Sequence, residues 1–154
     1  MRKVLIADDE VKVGQLVKRL IQWDRLGLTC IGLVTDGQTA YEKILSESPD
    51  IVITDIRMPV LTGLEMIQKA SEQGVKCHFI VVSGYKYFDY AQKALKYGVE
   101  DYLLKPIDED ELNRQLQKIV AEEEQREDKQ QQVDQIEKKL EDSKYLRHKE
   151  FLRQ

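Results

Sequence analysis

The chain has 154 residues, of which 42% are hydrophobic and 34% are charged, so it is large enough for one core and an extension. Its net charge is −4, and no basic stripe indicates a nucleic-acid-binding surface. No apolar run approaches the ~20 residues that a membrane-spanning helix needs, and no signal peptide opens the sequence, so we expect a cytoplasmic protein without membrane contact.

Short apolar runs alternate with helical patterns along the first two thirds of the sequence. The apolar runs predict five strands, at residues 2–7, 28–34, 50–54, 76–82 and 101–104. Apolar residues at three- and four-residue spacing predict helices at 10–24, 38–47, 61–73 and 87–97, and a further helix from residue 108. Cys30 and Cys77 are too few for a disulfide framework or a zinc site, and we expect buried free thiols.

Strand–helix repeats with short connections predict a parallel sheet covered by helices on both faces. Because crossovers in such sheets are right-handed, few topologies remain. We expect an α/β fold with a five-stranded, doubly wound parallel sheet of flavodoxin-like strand order 2-1-3-4-5, followed by a C-terminal helical extension. Ligands of such sheets bind at the carboxyl ends of the strands, so polar residues at those ends are the candidate binding residues.

Polar side chains follow four of the predicted strands. Asp8 and Asp9 end the first strand, Asp55 the third, Ser83 the fourth and Lys105 the fifth. A single aspartate at a strand end is usually a turn or helix-cap residue, and a single lysine or serine is equally uninformative. In the expected strand order these strands are neighbours, so the combination predicts that the five side chains meet at one edge of the sheet.

Such a cluster has a definite chemistry. Carboxylates a few ångströms apart repel one another, and a divalent cation with oxygen ligands relieves that repulsion; Mg²⁺ fits best because it uses few carboxylates and keeps waters. One carboxylate is then free to attack phosphorus and form an aspartyl phosphate. Lys105 and Ser83 would supply a positive charge and a hydroxyl donor for phosphoryl oxygens.

These motifs resemble the receiver domain of two-component response regulators. The similarity covers residues 1 to about 120 and is carried, in order, by runs at 4–10, 50–59, 63–64, 81–84 and 101–106. It implies that Asp55 accepts a phosphoryl group from a sensor histidine kinase. It also implies that the domain catalyses only its own phosphoryl transfer and dephosphorylation, so that it is not a turnover enzyme.

The resemblance also assigns the remaining site residues. It implies that Asp8, Asp9 and Asp55 bind Mg²⁺ together with the backbone carbonyl of Arg57. Ser83 and Lys105 would contact the phosphoryl group, and Ser83 would form a switch with the aromatic residue Tyr102. The resemblance further implies that the Lys105–Pro106 peptide bond is cis, a form that X–Pro bonds adopt at low cost.

The runs at 83–91 and 98–106 narrow the resemblance to receivers of the YesN type, which carry an AraC-type DNA-binding domain after the receiver. We therefore expect a receiver at residues 1–120 that controls a transcription-regulating output domain outside these 154 residues. DNA binding would occur only through that output domain. A homodimer is expected on phosphorylation.

Residues 121–154 contain no glycine or proline and predict a helical linker. A seven-residue register passes through Leu112, Ile119, Arg126, Val133, Leu140 and Arg147. Charged residues interrupt this register, so any coiled coil is weak alone. A dimerising connector and a solvated helix therefore both remain open, because isolated helices are marginally stable.

Two other functions compete with the phosphorylated switch. A metal-dependent phosphohydrolase also uses an aspartate nucleophile at a strand end, but such enzymes place a second aspartate two residues later, where this chain has Arg57. The other alternative is a stand-alone or non-phosphorylated receiver that acts as a protein-binding module. Treatment with acetyl phosphate and Mg²⁺ separates the three functions. The switch predicts a stable adduct, the phosphohydrolase predicts continuous phosphate release, and the binding module predicts no adduct.

Overall fold

The computed structural model describes residues 1–84 and 99–153, with side chains described at 1–84 and 102–143. The elements are β1 (Arg2–Ala7), α1 (Val11–Leu20), α2 (Trp23–Leu26), β2 (Leu28–Val34), α3 (Gly37–Glu47), β3 (Ile51–Asp55), α4 (Gly63–Glu72), β4 (His78–Ser83), β5 (Val99–Leu104) and α5 (Glu109–Arg153). The helix predicted at 87–97 lies outside the described residues.

The five strands form one sheet in the order β2-β1-β3-β4-β5, and every neighbouring pair is parallel. This confirms the predicted fold class. The central strands β1, β3 and β4 are almost entirely buried, which explains why they read as continuous apolar runs rather than as alternating patterns. Side chains of these strands, such as Leu5, Val52 and Phe79, pack with Ile44 of α3 and Met66 of α4 in the main core cluster.

The prediction of one helix over residues 10–24 is wrong, because the chain leaves the helix at Ile21 and forms the separate turn α2. The cause is a side chain that lies 91 and 93 residues along the chain from the two backbone groups it binds. The amide of Asn113 in α5 donates to the carbonyl of Leu20 at 2.9 Å, and its oxygen accepts from the backbone N–H of Gln22 at 2.9 Å. Asn113 thus satisfies the backbone groups that a continuous helix would have paired, and no local pattern reveals this.

The two cysteines are free, as predicted, but both are half-buried rather than buried. Cys30 lies in β2, which is an edge strand of the sheet, and Cys77 directly precedes β4. An apolar sequence neighbourhood therefore overestimated the burial of both residues, since neither lies in the middle of a central strand.

The chain divides into two units, Met1–Gln117 and Lys118–Gln154, and α5 contributes to both. In the second unit the helix continues through the predicted linker, and Val133, Ile136 and Leu140 are about half exposed. The division into a receiver and a weakly dimerising linker stays a prediction. Across the part of the chain that the structure describes, no helix has the combined length and apolar character to cross a bilayer.

Candidate acidic site at the carboxyl edge of the sheet

Three carboxylates lie together where β1 and β3 end. One oxygen each from Asp8, Asp9 and Asp55 falls within a group whose members are all within 4.8 Å of one another. Asp8 and Asp55 are buried, with 5% and 7% of their surfaces exposed, whereas Asp9 is exposed. The parallel register of β1 and β3 brings these residues together, because both strands end at the same edge of the sheet.

Lys105 places its ammonium group between the two buried carboxylates. Its Nζ atom lies 3.1 Å from Oδ2 of Asp55 and 3.3 Å from Oδ2 of Asp8. The backbone positions this residue, because the N–H of Lys105 donates to the carbonyl of Ser83 at 2.9 Å and so continues the β4–β5 pairing. The Lys105–Pro106 peptide bond is cis, which confirms that expectation.

The other oxygens of these carboxylates accept backbone hydrogen bonds. Oδ1 of Asp8 accepts from the N–H of Glu10 at 2.9 Å, and Oδ1 of Asp55 accepts from the N–H of Ile56 at 2.7 Å. These bonds fix the side chains so that both Oδ2 atoms face Lys105. The two carboxylates are therefore oriented by their own neighbouring backbone as well as by the shared cation.

Burial dominates the electrostatics of the site. It raises the pKa of Asp8 from 3.8 to about 6, and the charge of Asp55 adds to this, against the lowering effects of the Glu10 N–H and of Lys105. Burial also raises the pKa of Asp55, although Lys105 opposes the increase. Burial alone would lower the pKa of Lys105, but the charges of Asp55 and Asp8 outweigh it and raise that pKa. The site brings three carboxylates together with one lysine, so its negative charge exceeds what that lysine neutralises.

This donor set fits a hard divalent cation. It consists of carboxylate oxygens with no sulfur or imidazole ligand among them, and Mg²⁺ prefers such ligands. The raised pKa of Asp8 also agrees with a cation site, because a bound cation would favour the ionised form of that carboxylate. Arg57 lies in the loop after β3 with an exposed side chain, and the role of its backbone carbonyl stays a prediction.

Ser83 and Tyr102 meet at one acceptor. The hydroxyl of Ser83, which is fully buried, donates to the carbonyl of Gly84 at 3.3 Å, and the hydroxyl of Tyr102 donates to the same carbonyl at 3.1 Å. The structure thus brings the two predicted switch residues together. If Ser83 moved away, the carbonyl oxygen of Gly84 would lose one of these two hydrogen bonds, and it is the same oxygen that binds the Tyr102 hydroxyl.

The loop between β3 and α4 is packed tightly beside Asp55. A Cβ atom at Gly63 would lie 2.0 Å from the carbonyl oxygen of Asp55, so only glycine fits there. A Cβ atom at Gly37 would similarly lie 2.0 Å from the carbonyl oxygen of Leu61. Gly63 belongs to a recognised motif, whereas the requirement for glycine at position 37 was missed, because its contact is far away in sequence.

Helix α4 begins immediately after this loop with a capping box. The hydroxyl of Thr62 accepts from the N–H of Glu65 at 3.1 Å, and the Glu65 carboxylate accepts from the N–H of Thr62 at 3.2 Å. The Thr-x-x-Glu spacing in the sequence is typical of this reciprocal arrangement. The capping box fixes the end of the loop that borders Asp55.

The sequence matches the family of response regulator receiver domains over residues 4–117. The chain belongs to this family. A similar relative is the transcriptional regulatory protein YesN of Bacillus subtilis, which is 46% identical over 122 residues covering 79% of this chain and 33% of YesN. The transcriptional regulatory protein HptR of Staphylococcus aureus is 35% identical over 78% of this chain and 47% of HptR. This receiver chain thus spans a third to a half of the relatives it matches.

Solved structures of receiver domains have the same fold. The receiver domain of AraT, a response regulator from Geobacillus stearothermophilus, is 36% identical, with a TM-score of 0.78 over 82% of this chain and 98% of that domain. The receiver domain of the Francisella response regulator 1452 is 28% identical, with a TM-score of 0.69 over 79% of this chain and 98% of that domain. The predicted membership of the receiver family is confirmed.

Proposed function

We propose that this receiver is a phosphorylation-controlled switch in which Asp55 accepts a phosphoryl group from a sensor histidine kinase in a Mg²⁺-dependent reaction. One observation carries the proposal: the Lys105 ammonium bridges Asp55 and Asp8 beside the exposed carboxylate of Asp9. A purely structural ion pair would need one acid. Burying two carboxylates beside a third costs stability, and proteins keep such costly clusters mainly at functional sites.

The reaction transfers a phosphoryl group from a histidine nitrogen of the kinase to a carboxylate oxygen of Asp55. A carboxylate oxygen of Asp55 attacks the phosphorus of phosphohistidine, an O–P bond forms, and the N–P bond breaks with its electron pair remaining on the imidazole. Asp8, Asp9, Asp55 and the carbonyl of Arg57 would hold Mg²⁺, which when bound would offset the negative charge of the incoming phosphoryl group. Lys105 would exchange its contact with the Asp55 carboxylate for a phosphoryl oxygen and so stabilise the charge that the transfer brings in.

Ser83 and Tyr102 would convert that event into a conformational change. The Ser83 hydroxyl would donate to a phosphoryl oxygen instead of to the carbonyl of Gly84. The shared acceptor supports a coupled change at Tyr102, whose hydroxyl now binds that same carbonyl. The switch is thus a two-state equilibrium biased by the added charge.

We further propose that the switch acts on a DNA-binding output domain of the transcription-regulator kind. The similarity to YesN and HptR supports this, because both are named as transcriptional regulatory proteins and are longer than this chain. In this proposal residues 1–120 form the receiver, residues 121–154 form the helical connector, and phosphorylation favours a homodimer in the cytoplasm. The receiver acts only on its own phosphoryl group and has no turnover substrate.

Acetyl phosphate provides the direct test, because it needs no partner protein. With Mg²⁺ the wild-type chain should gain one phosphoryl group in intact mass spectrometry, and Asp55→Asn should gain none. Asp36→Asn is the matched control. Asp36 lies between β2 and α3, its carboxylate accepts from the N–H of Thr39 as the cap of α3, and the variant should be labelled like the wild type. Continuous phosphate release would instead support a phosphohydrolase, and an unmodified wild-type chain would support a non-phosphorylated binding module.

A further inference from the structure

One stretch of α5 carries apolar side chains that no other part of the described chain covers. All residues from 124 to 142 are exposed. Among them Val133, Ile136 and Leu140 are 46%, 58% and 57% exposed. These three residues follow one another at spacings of three and four, so they lie on one face of the helix. We call this face the apolar seam.

Packing against a second helix would stabilise this part of α5. An isolated helix is only marginally stable in water, and most helical stability in proteins comes from packing of an amphipathic face. The seam is narrow and is flanked by charged residues, which is typical of a contact between two helices. The charges of the segment indicate which helix fits it.

Charge is unevenly divided about the seam. Residues 122–134 contain six acidic and two basic residues, whereas residues 135–147 contain three acidic and four basic residues. Two copies of the segment that run in the same direction would place their acidic halves against each other. In copies that run in opposite directions, each acidic half lies against the more basic half of its partner. The segment therefore complements a second copy of itself in the antiparallel direction.

The residues that continue the seam favour the same direction. Arg126 lies seven residues before Val133 and therefore on the same face. Lys129 has the same relation to Ile136. In a parallel, aligned pair both residues would face the like charge of their own copies. In an antiparallel pair with Val133 opposite Ile136, these like-charge contacts are absent. Lys129 then lies opposite Leu140, where its stem covers apolar surface while its charge stays in water.

We propose that residues 122–147 of two copies of this chain pair as antiparallel helices, with Val133 of one copy packed against Ile136 of the other. The inference rests on the proposed function in that a homodimer is expected, and it adds the surface and the direction of pairing. Because the pair has two-fold symmetry, each contact occurs twice. Three apolar side chains from each copy make a small contact, so the dimer is weak and open to regulation.

Ile136→Lys tests the surface. The variant places a charge in the middle of the seam and keeps a good helix former, so it should raise the dissociation constant in sedimentation equilibrium by about tenfold or more. Gln131→Lys is the matched control, because residue 131 lies on the opposite face of the helix. The control should leave the dissociation constant within about twofold of the wild type. Acetyl phosphate should label both variants like the wild type, since neither residue belongs to the acidic site.

Spin labels on single cysteines test the direction. Gln125→Cys and Gln132→Cys are one heptad apart beside the seam, and each is made in a chain that carries Cys30→Ser and Cys77→Ser. The helix rises by 1.5 Å per residue, so antiparallel copies should separate the two labels along the axis by about 28 Å at position 125 and about 8 Å at position 132. Parallel, aligned copies would give equally short distances at both positions. Dipolar EPR spectroscopy before and after treatment with acetyl phosphate and Mg²⁺ measures these distances.

Three results would overturn the inference without affecting phosphoryl transfer to Asp55. A chain that stays monomeric at about 1 mM, both before and after acetyl phosphate treatment, would show that no second copy occupies the seam. A dimer that Ile136→Lys leaves intact would use another surface. Equal label distances at positions 125 and 132 would indicate a parallel pair. Failure of acetyl phosphate to label the wild-type chain would instead contradict the proposed function itself.

Discussion

The ammonium nitrogen of Lys105 lies 3.1 Å from a carboxylate oxygen of Asp55, although 50 residues separate the two in sequence. Oδ2 of Asp8 is 3.3 Å from the same nitrogen, so one cation serves two buried acids. The lysine does not fully offset the cost of burying these acids, since burial raises the pKa of both carboxylates despite its presence.

Removal of the lysine should cost both stability and reactivity. In Lys105→Met the two buried carboxylates lose their cation, so the free energy of unfolding without metal should fall by about 2 kcal/mol at pH 8. The loss should be smaller at pH 5, where protonation relieves the repulsion. Labelling by acetyl phosphate should slow by about 10²-fold or more, because an electrostatic donor to the transferred group is gone. Urea titrations at the two pH values and timed mass spectra measure these effects; equal stability losses at both pH values would contradict the explanation.

Removal of one acid should have the opposite effect on stability. Because the pKa of Asp8 is raised from 3.8 to about 6, the native state binds the proton more tightly than the unfolded state. The contribution of the Asp8 carboxyl group to the free energy of unfolding is therefore greatest below pH 4. This contribution is lost as the pH rises through about 6. At pH 8 without metal, the free energy of unfolding of Asp8→Asn should be about 1–3 kcal/mol higher than that of the wild type, so the variant should be the more stable protein.

Added Mg²⁺ should reverse that order. The wild type should be stabilised as Mg²⁺ is raised, because the ion binds the native carboxylates, and Asp8→Asn should respond much less. Asp36→Ala is the control: it should lose about 1 kcal/mol of stability with or without Mg²⁺, because it removes only the cap of α3. Melting curves of the wild type and the two variants, recorded with chelator and with Mg²⁺, measure these responses. An equal response of wild type and Asp8→Asn would exclude Asp8 as a ligand.

Asn113 should contribute to stability out of proportion to its size. It is 97% buried, and its amide also donates to the carbonyl of Glu109 at 2.8 Å. Asn113→Ala leaves the N–H of Gln22 and the carbonyl of Leu20 without this partner, which should cost about 2–3 kcal/mol. Trp23, the single tryptophan, lies in α2 and donates to the carbonyl of Lys18, so its fluorescence reports unfolding in urea. A loss below about 0.5 kcal/mol would show that α1 ends at Leu20 for another reason.

Cys77 should be a slow thiol in the native protein. Burial raises its pKa to about 12, and the charge of Asp50 contributes to the increase. In a Cys30→Ser background, alkylation by iodoacetamide at pH 8 should therefore be about 10³-fold slower in the native state than in guanidinium, since the thiolate is the reactive form. Similar rates in both states would show that the thiol is not desolvated.

The sequence was sufficient for the sheet and for the main residues of the site. Apolar runs marked the strands, and the parallel topology then forced Asp8, Asp55 and Lys105 to the same edge. Contacts made by single residues across long separations could not be predicted. The hydrogen bonds of Asn113 that end α1 and the close approach of Gly37 to the loop after β3 depend on tertiary packing, which leaves no periodic pattern in the sequence.

In the proposed switch the side chain of Asp55 carries the phosphoryl group. Reduction of the acetyl phosphate-treated chain with borohydride converts an aspartyl phosphate to homoserine, which peptide mass spectrometry assigns to a position. We expect homoserine at residue 55 in the wild type when Mg²⁺ is present, and none when the metal is chelated. Homoserine at Asp8 or Asp9 instead, or none at any position in a chain that remains folded, would contradict it.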